Sequence, residues 1–150
     1  MNKKTFISLK QKFKDRKINK EYLAIIEGHL SSETGKIELP LKRSSTNRSK
    51  RAVAKNGKLS ISEYEVIKTT NKHSLVSVTL ITGRNHQVRV QMEYLNTPVV
   101  NDTLYGAKIN KLTTSSQICL HSHKLSFNLF DKDYNFECAP PEFFNKVLEV

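Results

Sequence analysis

The chain has 150 residues, with 25 Lys+Arg against 14 Asp+Glu and a formal net charge of +11. That length fits one domain with its own core. The 37% apolar and 26% charged content excludes a disordered tail, and no run approaches the roughly 20 apolar residues of a membrane helix. The basic N-terminus has too short an apolar run (Phe6 to Leu9, ended by Lys10) for a secretory leader, and two cysteines cannot build a disulfide framework; the cytoplasm is the expected setting.

Residues 1–20 carry eight Lys/Arg and one acid, Asp15. Within them Phe6, Leu9 and Phe13 recur at i, i+3, i+7, which predicts an amphipathic, basic helix over 4–17. Residues 20–27 (KEYLAIIE) are apolar on both alternating sets, as in a strand buried on two faces; Tyr22, Ala24 and Ile26 share one face. A turn over 31–35 and a short strand over 36–41 follow.

Residues 42–58 hold seven cations (Lys42, Arg43, Arg48, Lys50, Arg51, Lys55, Lys58), no acid and no periodicity, and predict a mobile basic surface loop. Fifteen of the 25 basic residues thus fall in two short segments, which favours a polyanionic partner, most often nucleic acid, bound in a salt-dependent way. A Lys-rich composition with many Asn also fits a plain solvated surface.

Leu59/Ile61 and Tyr64/Val66 are out of phase, so one strand with a bulge near Glu63 is expected. It pairs as a hairpin with a half-buried strand over 76–80. Thr82-Gly83 ends that strand, and Val88, Met92 and Leu95 predict a helix over 85–95. Residues 96–117 are loop-rich, and 118–130 form a long strand whose phase slips between His121 and Leu125. A turn at 131–135, a short strand at 136–138 and a helix from Glu142 to Leu148 complete the chain. With no repeat or linker, the expected fold is a single α+β domain over 1–150, its mainly antiparallel mixed sheet flanked by helices and loops.

The densest polar cluster is Thr82-Gly83-Arg84-Asn85-His86-Gln87-Val88-Arg89, between a strand end and a helix start. Glycine there permits close backbone approach, free helix N–H groups attract an anion, and Arg, His and Gln can orient a base and its phosphate. The alternative is a solvated helix start in which Arg89 pairs with Glu93. Cys119, His121 and His123 alternate along one strand, but no second ligand pair stands at zinc spacing, so no metal is expected. Asp131 and Asp133 sit in a turn, Asp15 in a basic helix, and Asp102 is expected to shape a loop.

The string TGRNHQVRV (82–90) resembles the TGRTHQIRVH signature of the RluA-type RNA pseudouridine synthases. Four more blocks follow that family's order: FKDRKINKEYLAIIEG (13–28), TPVVNDTLYG (97–106), LHSHKLSFNLF (120–130) and APPEFFNKVL (139–148). The resemblance implies uridine-to-pseudouridine isomerisation in rRNA or tRNA, without a cofactor, on a nucleotide flipped into a pocket. It implies catalytic roles for Tyr22, stacking on the base, and for Arg89, pairing with a catalytic Asp. It implies an apolar pocket wall at Leu120. Thr82, Gly83, Arg84, His86, Gln87, Leu120, His121, Arg43, Arg48, Lys50 and Arg51 are the candidate RNA- or base-binding residues.

The family's catalytic Asp belongs to an HRLDxxTSG motif that this sequence lacks. The expectation is therefore a catalytic domain shortened at its N-terminus, inactive alone, with Arg89 unpaired, an exposed sheet edge, and a separately encoded N-terminal portion as a partner besides RNA. A catalytically dead RNA-binding module is the alternative. Asn85 for Thr, Gln91 for His, Asn101 for Gly and Ser122 for Ala are smaller departures from the pattern.

Overall fold

A computed structural model describes residues 2–15, 17–114 and 116–149. Its centre is one seven-stranded sheet in the order β3-β2-β4-β5-β1-β6-β7. The strands are β1 (Asn19–Glu27), β2 (Thr34–Arg43), β3 (Arg51–Val53), β4 (Lys58–Thr69), β5 (His73–Leu80), β6 (Leu120–Leu129) and β7 (Lys132–Glu137). Among the described residues, three α-helices complete the fold, α1 (Lys3–Lys14), α2 (Gln87–Tyr94) and α3 (Phe143–Leu148), with a 3-10 turn at Thr103–Tyr105. Every strand pairing is antiparallel, so the sheet is not mixed among the described residues.

β1 explains its own sequence. Leu23, Ala24, Ile25 and Ile26 are all buried, because both faces of the strand are covered. Register puts Tyr22, Ala24 and Ile26 on one face with Val78, Val76 and Ser74 of β5, and Leu23 and Ile25 on the other. α2 covers the first face, with Val88 and Met92 in the core. α3 covers the second through Phe144 and Val147, the Phe144 ring lying edge-on to His121. Beyond Ala24, β6 no longer accompanies β1; Pro98–Val100 takes its place, with Val100 N–H donating to Ile25 O at 2.8 Å and Glu27 N–H to Pro98 O at 2.9 Å.

Several expected boundaries move. The bulge in β4 lies between Val66 and Lys68 rather than near Glu63, while the slip in β6 falls where the phase change placed it, opposite Glu21 and Tyr22. The 42–58 segment is not all loop: β2 runs on to Arg43, and β3 returns along its edge. A side chain at Gly57 would meet the Pro40 and Leu41 backbone at 2.6 Å, so glycine lets the β3–β4 turn lie against β2. α1 is capped by the Asn2 side chain, which accepts from Thr5 N–H, and ends at Asp15; the expected Arg16 turn of that helix lies outside the described residues. None of its residues is buried, and Phe6 and Phe13 stand 53% and 52% exposed. No helix is long and apolar enough to cross a membrane among the described residues.

Candidate active site and nucleic-acid interface

The strand-to-helix cluster divides by burial. Thr82 and Gln87 turn inward and are 2% exposed. Gln87 Oε1 accepts from Thr82 Oγ1–H (2.8 Å) and Arg84 N–H (2.9 Å), and its Nε2 donates to Ile61 O (2.9 Å) and Ser62 Oγ (2.8 Å). Ser62 Oγ donates on to the buried Gln91 Oε1 at 2.7 Å. These side chains stitch the turn to β4 and leave Gly83, Arg84 and Asn85 on the surface.

His86 adopts φ 57, a left-handed conformation that turns its ring toward Tyr105. Its Nδ1 lies 2.9 Å from the Tyr105 hydroxyl, which also accepts from Arg51 N–H at 2.8 Å. Arg89 Nη1 lies 3.3 Å from His86 Nε2. An arginine can only donate, so Nε2 is the unprotonated nitrogen and the ring is neutral. Burial, then the charges of Arg89 and Arg51, hold the His86 pKa below its usual value, with Asp102 opposing.

Arg89 is not unpaired, and it does not pair with Glu93. Its Nε donates to Asp102 Oδ2 (2.6 Å) and Nη2 to Asp102 Oδ1 (2.7 Å), a two-point contact with a fully buried carboxylate. That contact raises the guanidinium pKa against the opposing effect of burial. The Arg89 guanidinium lies 4.9 Å from the Tyr105 ring centre, and Lys50 Nζ lies 4.9 Å from it as well. Glu93 is met instead by Lys50, at 3.4 Å. Tyr105 itself is fully buried, and burial pushes its phenol pKa up. Asp102 and Tyr105 are the two site residues that reading the motif alone missed. Both lie in the TPVVNDTLYG block, whose place in the family order was the available signal.

Tyr22 is half-buried on the face α2 covers, paired with Ser122 and one turn of the pleat from Leu120, which pairs with Ala24. The Pro98–Val100 pairing ties the Asp102 loop to this same strand. The ring beneath Arg89 is nevertheless Tyr105, not Tyr22. His121 pairs with Leu23 and so faces the opposite side of the sheet from Tyr22. Its Nε2 and His123 Nδ1 both reach the Cys138 carbonyl, at 2.9 and 2.8 Å, while burial pushes the Cys119 thiol up to about 12. The two histidines therefore hold the β6–β7 end together, while Cys119 belongs to the core.

A cleft of about 440 Å³ joins the turn to the basic segment: Lys42, Arg43, Arg51, Lys58 and Arg84 line it together with Leu41, Asn56, Gly83 and Asn85. Arg48 stands exposed outside it, and Lys50 is turned to Glu93 and Tyr105.

A family model described as RNA pseudouridylate synthase matches residues 1–94. The ribosomal large subunit pseudouridine synthase D of Borreliella burgdorferi is 39% identical over 132 residues, covering 85% of this chain and 39% of its own length. The dual-specificity RNA pseudouridine synthase RluA of Pasteurella multocida is 34% identical, covering 90% of this chain and 63% of its own. Among solved structures, human RNA pseudouridylate synthase domain containing 1 superposes with a TM-score of 0.83 at 26% identity, over 94% of this chain and 62% of that one. The chain thus spans between 39% and 63% of the length of these relatives.

Proposed function

The chain belongs to the RNA pseudouridylate synthase family, and from that premise we propose that it forms the uracil-holding half of a uridine-to-pseudouridine isomerase acting on rRNA or tRNA in the cytoplasm. The clamped arginine carries this reading. Asp102 takes two of the five guanidinium N–H donors and His86 one, so two remain, fixed in direction, for a second carboxylate or the uracil carbonyls. Tyr22 stacks on the flipped base, and Leu120 supplies apolar wall beside it. The reaction breaks the C1′–N1 bond, leaving its electron pair on N1, and joins C1′ to C5; the C5 proton then leaves and N1 takes one up, so the product is an isomer of the starting nucleotide.

None of the chain's four aspartates is placed to start that chemistry. Asp102 spends both oxygens on Arg89 and has no exposed surface. Asp15 accepts from Gln11, Asp133 from Asn128, and Asp131 sits at φ 58 in the β6–β7 turn. The initiating carboxylate then comes from outside these residues, as the HRLDxxTSG motif of the resembled family implies, in the same polypeptide or a separate one. Tritium release from a transcript labelled at uridine C5 tests this. The chain alone is expected to bind the transcript without release, and release is expected once an N-terminal segment from a longer relative is added. Release by the purified chain alone would overturn the division of labour. Binding without release under any complementation favours the second reading, an RNA-binding module that retains the pocket.

A further inference from the structure

Arg43 and Arg51 are direct cross-strand partners at the open edge of the sheet. Like charges placed opposite one another in an antiparallel pair repel and destabilise it. The same cleft adds Lys42, Lys58 and Arg84, and no acid lines it among the described residues. Arg84 is held there, its Nε donating to Leu59 O at 3.2 Å and its N–H fixed by the buried Gln87. Five cations gathered from β2, β3, β4 and the 83–85 turn, two of them in forced repulsion, form a site whose charge is compensated only by an anion.

The other side of the sheet has the opposite character. One register row there reads Lys36, Glu63, Thr79, Glu21, Lys124, Glu137 across six strands, with Glu65 and Glu38 in the neighbouring rows. That row mixes three acids with two bases and so offers a polyanion less than the all-cation cleft does. The cleft is also wired to the site: Arg51 N–H donates to the Tyr105 hydroxyl that holds His86, and the Tyr105 ring lies under Arg89.

We propose that this cleft is a clamp for the phosphodiester backbone immediately flanking the nucleotide held at Arg89, with Arg43 and Arg51 sharing one phosphate and Arg84 the next. The inference rests on the RNA reading above but concerns a different set of contacts. Gly83 forms the rim, where a side chain would crowd Lys20 Nζ at 3.2 Å. Phosphate is the shared chemistry of a polynucleotide and a free anion; the site is assigned to the polynucleotide, because charges spread over several strands match spaced phosphates and not a single ion.

The test uses the whole chain and a uridine-containing single strand of about 12 nucleotides, followed by fluorescence anisotropy across a salt series, with inorganic phosphate as the competing arm. Arg43→Glu replaces the repelling pair by an attracting one. It is expected to raise the melting temperature while weakening RNA binding about tenfold or more and flattening the salt dependence by roughly one phosphate's worth. Arg84→Ala provides a second variant with the same binding loss at unchanged stability. Lys36→Ala with Lys124→Ala, on the far face, is expected to leave binding as it was. Inorganic phosphate at millimolar concentration is expected to compete poorly. Equal losses from the two faces would overturn the clamp, as would a fall in both stability and binding with Arg43→Glu or full competition by free phosphate. Loss of uridine preference in Arg89→Ala with an intact salt slope, or its absence, speaks to the isomerase reading alone.

Discussion

Arg89 and Asp102 face each other side-on, with two N–H groups of one meeting both oxygens of the other at 2.6 and 2.7 Å and no solvent reaching the carboxylate. The arginine comes from α2 and the aspartate from the loop that continues the β1 pairing, so the contact locks helix, loop and sheet together. Removing one partner strands the other charge. Asp102→Ala is expected to lower folding stability by about 3–5 kcal/mol. Replacing both residues by apolar ones of similar size costs much less than the sum of the single changes. Urea unfolding of the two single variants and the double variant measures this; additive losses would show that the two side chains do not depend on each other.

Acidification should destabilise the fold through two histidines. Burial lowers the His73 pKa, with Glu27 and the Val147 backbone opposing and Lys72 assisting, and the buried His73 Nδ1 has no hydrogen-bond partner among the described residues. His86 is lowered in the same direction, by burial first and then by Arg89 and Arg51, against Asp102. In each case the unfolded chain binds a proton more readily than the folded one. Stability is therefore complete above the usual histidine value of 6.5 and falls as the pH drops below it toward the folded values. Urea midpoints between roughly pH 7.5 and 5 should decline, and His73→Gln should flatten part of that decline. A midpoint that rises on acidification would contradict both assignments.

Asn101 stands where the family pattern has glycine, and the backbone shows why the two exchange. Its φ is 67, a region open to glycine and tolerated by asparagine. Its side chain then ties the following loop down, Nδ2 donating to Thr114 O (2.6 Å) and Gln117 O (3.1 Å) and Oδ1 accepting from Asn110 N–H (3.1 Å). Asn101→Gly keeps the backbone and loses the ties; Asn101→Ala loses both, and should melt lower still, by a further 1 kcal/mol or so. Thermal melts of the two variants decide it, and an alanine variant more stable than the glycine one would refute the backbone argument.

How much of this was legible in the sequence follows from the range of the interactions. β1, β5 and the β6 slip could be read because their alternation reflects burial on known faces, a local signal. α2 could be read from Val88 and Met92. The far half of the 42–58 segment could not, because β3 is three residues held by pairing with β2 and by Tyr105, neither of which leaves a period in the sequence. Arg89 stood out by its motif, but its partner did not: Glu93 is one helical turn away and Asp102 is thirteen residues on, and only the loop's pairing with β1 brings the latter within reach. The N-terminal helix shows the reverse case. Its Phe6, Leu9 and Phe13 spacing was correctly helical, yet the periodicity says nothing about whether anything covers that face.

Gln87 tests whether a motif residue serves the turn or the ligand. It has four hydrogen bonds to Thr82, Arg84, Ile61 and Ser62 and is 2% exposed, so it cannot reach RNA without leaving them. Gln87→Leu removes the shared acceptor of Thr82 and Arg84 and the donor to β4, leaving buried polar groups without partners. A loss of roughly 2–4 kcal/mol is expected. Arg84→Ala, three residues earlier and on the surface, should barely move stability while it weakens RNA binding. Melting curves and anisotropy on the same two variants separate the roles. If Gln87→Leu melts like the parent chain and loses RNA, the side chain faces the ligand and the buried network is not what holds the turn.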